Sequence, residues 1–222
     1  MNRLSLAVAA LSLSVLIASC DRASDLAPAP DPALTAGVIT DKVVTWTPGT
    51  LGRLSVVEYP TTNVADAKVL ASAPIDAQGN FSLTLPTAAD VAPYLNRYQT
   101  TPREGCTGFF TQSLPNATHY TVDEYMLENT TTNKVLTRDF EQSNLSYNGK
   151  AVQGDYFIER IYTAQAHTVT GTLSCPTFST TLNLNLKVGW NAVVRTINSA
   201  NAEGEMRNST VTSPTTLPVS VF

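Results

Sequence analysis

Histidine, cysteine and charge are all scarce in this chain. Two His and three Cys stand among 222 residues, and the four charged residue types make up 14% of it. Cys106 and Cys175 lie far apart with no His at ligand spacing, which is weak material for a zinc site. The G-x-S-x-G and H-E-x-x-H signatures and the phosphate-binding P-loop are missing. With 14 Lys+Arg against 18 Asp+Glu and no basic run, a nucleic-acid partner is not expected. The sequence therefore points to no catalytic, cofactor-binding or metal-ligating residue and no cofactor, and to a protein that is not an enzyme. The uncharged N-terminal run Leu4 to Ile17 also falls short of the roughly 20 apolar residues a membrane-spanning helix needs.

What that run does have is order. Arg3 gives a basic start, the apolar stretch follows, and Ala18-Ser19-Cys20 supplies small residues, which is the layout of a secretory signal over residues 1–19. Ile17-Ala18-Ser19-Cys20 resembles the lipobox of bacterial lipoproteins. The resemblance implies cleavage before Cys20, acylation of that cysteine, and a mature chain anchored to a membrane of the bacterial cell envelope. Each buried CH₂ of an acyl chain contributes about 0.8 kcal/mol, so two or three chains hold a protein on a bilayer. Residues 20–36 follow, with Pro28, Pro30 and Pro32 among small and acidic residues, and read as a semi-rigid extended linker.

Export changes the reading of the other two cysteines. In an oxidising compartment Cys106 and Cys175 form an even pair, and a disulfide between them is expected. On the chain-entropy account it would stabilise the fold by roughly 4 kcal/mol.

From Gly37 onward the pattern is period-two alternation broken by turn residues, the mark of antiparallel strands. Strands are expected at Val43–Thr47, Leu54–Tyr59 and Lys68–Ile75, with a turn at Asp76–Asn80 leading to Phe81, Leu83 and Leu85 on one face, all within a small β meander or sandwich unit over 37–86. Asp76-Ala77-Gln78-Gly79-Asn80-Phe81 resembles a turn of the transthyretin-like, carboxypeptidase regulatory-domain type modules. That resemblance implies a structural or adhesive module without catalysis.

Thr87 to Gln99 breaks the strand rhythm. Val91, Leu95 and Tyr98 recur at helical spacing, and Thr87 with Asp90 suits a capping box. One short helix at about 88–99 is expected, within a connector over 87–105. A larger antiparallel unit over 106–222 follows: a strand His119–Asn129, a hairpin partner Lys134–Glu141, a β-rich stretch Gly154–Cys175, a hairpin around Gly189 built on Leu182, Leu184, Leu186, Trp190, Ala192 and Val194, and an edge strand near Met206. The fold class is mainly β: an antiparallel β-sandwich or open barrel, as one unit or as two packed units joined by the helix.

Candidate chemistry is thin. His119 and His167 read as surface or interface residues, and Asp123, about 13 Å along a strand from His119, is too distant to share a site with it. The turn at Asp76 lacks the spacing of a calcium loop. Carboxylates around Glu124 and Glu141 read as a solvated face, although paired acids would suit a glycosidase. Tyr120, Tyr125, Tyr147, Tyr156, Phe157, Tyr162 and Trp190 read as core, with a ligand cleft as the other use of such rings. The expected function is a non-catalytic, lipid-anchored envelope protein whose β domain meets an unknown envelope protein or glycan. Two alternatives stand beside it: a carrier of a lipid or other apolar ligand in a β-barrel cavity, and an envelope hydrolase with paired carboxylates.

Overall fold

The computed structural model describes residues 37–59, 67–98, 100, 101, 103–122, 124–138, 141, 142, 150–218 and 222. The signal, Cys20, the linker and Tyr147 lie outside them. Among the described residues the fold is mainly β, as expected, with one short helix.

Three sheets form. β1 (Val38–Lys42) and β4 (Asn80–Thr84) make a two-stranded ladder. β3 (Lys68–Ile75), β2 (Gly52–Glu58), β7 (Glu124–Asn129) and β8 (Lys134–Arg138) make an antiparallel sheet in that order. The third runs β5 (Thr107–Gln112), β11 (His167–Ser174), β12 (Ser179–Leu186), β14 (Met206–Thr212), β13 (Gly189–Ala200), β10 (Tyr156–Thr163) and β6 (His119–Thr121), with β9 (Glu141–Gln142) beside β10. It curls into a half-barrel.

The small sheets are sewn together by their apolar faces. Ile39, Leu83 and Phe81 on the β1/β4 ladder meet Leu54, Val56, Ile75, Tyr125 and Leu127, and Phe222 joins them. The Phe222 ring meets Phe81 and Tyr125 edge-on at 5.1 and 5.3 Å. Trp190 links this core to the large sheet, since its indole N–H donates to the Pro86 carbonyl at 3.0 Å. Residues on both sides of the connector share one sheet, because β7 pairs along β2.

Four expectations about strands change. The first strand is Val38–Lys42 rather than Val43–Thr47. There the chain turns, and Trp46 folds back so that its indole N–H reaches the Thr50 carbonyl. Gly52 permits this: a Cβ on it would lie 2.2 Å from the Trp46 ring. The turn at Asp76 does form, with the carboxylate accepting from the backbone N–H groups of Gln78 and Asn80. The strands it joins then part, β3 to the four-stranded sheet and β4 to the ladder. Next, His119–Asn129 is two strands, since β6 pairs β10 and β7 pairs β2.

The fourth change is the largest. β12 and β13 follow one another across Gly189, yet β14 lies between them, parallel to β12 and antiparallel to β13. The expected edge strand is therefore interior, and the expected hairpin is a fork. Ser213 sits in the fork, its backbone N–H on the Asn183 carbonyl and its hydroxyl accepting from the Asn185 N–H at 2.9 Å.

The helix is α1 (Ala88–Val91), followed by a 3₁₀ turn over Ala92–Tyr94. Its capping box forms as expected: Asp90 N–H donates to the Thr87 hydroxyl, and Thr87 N–H donates to the Asp90 carboxylate. It is shorter than expected because Pro93 has no N–H to continue the ladder, and Leu95 is already extended.

Candidate functional site

The concave face of the large sheet is built by alternation. In β12 Leu182, Leu184 and Leu186 are buried while Asn183 and Asn185 are exposed, and in β11 Val169 and Leu173 repeat the pattern. These side chains, with Phe110, Ile161 and Val211, form one apolar cluster. They do not fill the curl. A cavity of about 490 Å³ remains, lined by Phe110, Ile161, Leu173, Leu182, Leu184 and Val211 among others.

Into this apolar wall two opposite charges project. Glu159 of β10 faces Val193, and Arg195 of β13 faces Phe157, so the two are diagonal neighbours across one antiparallel pair. Arg195 Nε donates to Glu159 Oε1 at 2.5 Å, Nη2 approaches Oε2 at 3.4 Å, and Nη1 donates to the Ser209 hydroxyl at 3.0 Å. The Ser209 and Thr180 hydroxyls lie 3.3 Å apart, extending the network along the wall. Glu159 and Arg195 side chains are only 7% and 19% exposed.

The connector after the helix reaches the cavity through Tyr98. Asn96 and His119 exchange backbone hydrogen bonds of 2.7 and 2.8 Å, docking the connector on β6. Two residues on, the Tyr98 ring stacks on the His119 ring at 3.7 Å with 12° between planes. Tyr98 lines the cavity, and its buried hydroxyl has no hydrogen-bond partner among the described residues. Burial pushes that phenol up from its ordinary pKa, the Glu159 charge adds to the rise, and Arg195 opposes it. The far end of the connector is fixed by the Cys106–Cys175 disulfide, which the structure forms as expected.

His167 is not the surface residue expected, whereas His119 is of intermediate exposure. His167 is 5% exposed, its Nδ1 at 2.8 Å from the Gln165 carbonyl and its Nε2 without a partner among the described residues. His119 is half-buried, and burial, reinforced by the charge of His167, lowers it to about 4. It is neutral at physiological pH. Asp123 lies outside the described residues, and among those described no three His, Cys, Asp or Glu converge on a metal-binding point.

The aromatic residues follow the core reading. Tyr120, Tyr125, Phe157 and Trp190 are buried, and none of these, nor Tyr156 or Tyr162, lines the cavity. Of the cavity residues, the sequence reading names Tyr98 only for its helical spacing and does not single out Glu159 or Arg195. A signal for the pair did exist: each occupies an inward period-two position, Glu159 between Phe157 and Ile161, Arg195 between Val193 and Ile197. Opposite charges at such positions in two neighbouring strands mark a buried ion pair.

No family model, curated protein or solved structure matches this chain. Its site stands on its own geometry.

Proposed function

We propose that this protein is a non-catalytic binding protein of the bacterial cell envelope that holds a ligand with an apolar body in its curled sheet. The supporting observation is the cavity of about 490 Å³ with its aliphatic wall. That volume lies within the roughly 300–1,000 Å³ of small-molecule sites, and an apolar wall with few polar groups is their usual composition.

The tether belongs to the same proposal. Acylated Cys20 and a proline-rich linker of about fifteen residues would hold the domain up to roughly 45 Å from a bilayer, within reach of lipid or of an envelope partner. A Cys20→Ala variant should appear in the soluble envelope fraction, whereas the unaltered chain should need detergent for release.

A paired-carboxylate hydrolase finds less support. The cavity wall supplies one carboxylate, Glu159, and Arg195 already engages it, whereas that chemistry uses two converging carboxyl groups.

Binding of N-phenyl-1-naphthylamine, an uncharged dye that fluoresces in apolar surroundings, tests the cavity. Saturable enhancement with one site per chain is expected, and Leu182→Trp, which fills the cavity, should abolish it while circular dichroism stays unchanged. Enhancement that persists in Leu182→Trp and in Leu184→Trp would place the dye elsewhere and end this reading.

A further inference from the structure

Among the described residues the cavity wall carries an ion pair and a buried hydroxyl without a partner, and together they select a head group. Glu159 and Arg195 lie on the same wall and neutralise one another: three guanidinium N–H directions are taken, two by the carboxylate and one by Ser209. A ligand carboxylate entering here meets no net positive charge to offset the loss of its hydration, and it meets the Glu159 carboxylate as a like charge. A ligand cation meets Arg195 in the same way. An uncharged polar group carries a far smaller desolvation penalty, and the lining residue Tyr98 offers it a donor and acceptor: a buried hydroxyl without a partner among the described residues. A buried hydroxyl left unpaired is unfavourable by roughly 1–3 kcal/mol, so a ligand that satisfies it gains affinity from that group alone.

Resting on the cavity reading above, we infer that the ligand is an uncharged amphiphile, an alkyl or similar apolar body ending in a hydroxyl, ester or amide. Its head hydrogen-bonds Tyr98 beside the Glu159–Arg195 pair, and its body lies against Leu182, Leu184 and Val211. Tyr98 is positioned for this by its stack on His119 and by the Asn96–His119 backbone bridge, so the contact is held in place before the ligand arrives.

The test is competition against bound N-phenyl-1-naphthylamine on the full chain carrying Cys20→Ser, with 1-monododecanoylglycerol and dodecanoate compared at pH 7.5 below their micelle concentrations. The glycerol ester should displace the dye at a concentration at least tenfold lower than the acid. Tyr98→Phe should shrink that preference about fivefold, read as the ratio of ester to acid displacement within the same variant. Glu159→Gln, which frees Arg195, should move the preference toward dodecanoate by tenfold or more. Dye binding with equal or better displacement by the acid, or an ester-to-acid ratio that Tyr98→Phe does not change, overturns the head-group assignment while the cavity reading stands. Absence of dye binding in the unaltered protein overturns both.

Discussion

Glu159 and Arg195 meet at 2.5 Å on the concave face of the curled sheet, as diagonal neighbours two residues apart in register on the adjacent strands β10 and β13. Such a pair is held at the expense of hydration, and its two halves depend on each other. Removing one partner leaves a buried charge unpaired, so Glu159→Met or Arg195→Met alone should destabilise the fold by about 3 kcal/mol, while the double variant Glu159→Met with Arg195→Met should come within about 1 kcal/mol of the original. Urea unfolding of the four proteins measures the cycle. Additive losses would show that the two side chains do not interact.

The interior position of β14 is open to hydrogen exchange. Its backbone pairs on both sides, with β12 and with β13, whereas β5 pairs only with β11 among the described residues. Amides of Ser209 to Val211 should therefore rank among the slowest in the protein, and those of β5 should exchange well before them. Equal rates in the two strands would contradict the fork.

His119 gives stability a specific pH dependence. The folded chain resists protonating it until about pH 4, while an unfolded histidine takes its proton near pH 6.5. The unfolded state thus binds more protons within that window, and stability falls as the pH drops from 6.5 towards 4, by about 2–3 kcal/mol in all, then levels off. His119→Phe preserves a ring under Tyr98 and should flatten this slope. Denaturant titrations at pH 4, 5, 6 and 7 read it directly, and an unchanged slope in the variant would assign the effect to other groups.

The disulfide should matter to both fold and cavity. Cys106 and Cys175 are 69 residues apart, and replacing both by Ser should cost about 4 kcal/mol on the chain-entropy account. The bond also fixes the connector that carries Tyr98, and both cysteines pack against the cavity's apolar cluster. Dye affinity should accordingly weaken in the double variant at a denaturant-free temperature where it stays folded. Unaltered affinity would show that the connector holds its place without the bond.

Much of this molecule is legible in its sequence, and the illegible part has a physical cause. Alternation in β12 and β11 announces strands with one buried face, because side chains of a strand point to opposite sides in turn. Thr87 and Asp90 announce the helix start, because both bonds of a capping box are local. The same locality misleads at Gly189. Two alternating runs across a short turn look like a hairpin, and no residue near that turn reports that β14, arriving from the far side of Glu205, will pair between them. The site was missed for the same reason: Tyr98, Glu159 and Arg195 come from the connector, β10 and β13, and their meeting is a property of the curl.

By itself the sequence determined that the chain is a mainly β protein with a capped helix turn and a cysteine pair able to bridge. These follow from side-chain period, backbone chemistry and composition, all of which act over a few residues or over the whole chain at once. Only the tertiary structure decided the order of the strands, the curl that leaves a cavity, and the neutral ion pair and unpaired hydroxyl in its wall. Strand pairing joins residues far apart in the chain, and which of several equally alternating strands become neighbours is settled by the packing of the whole core, which no local pattern encodes.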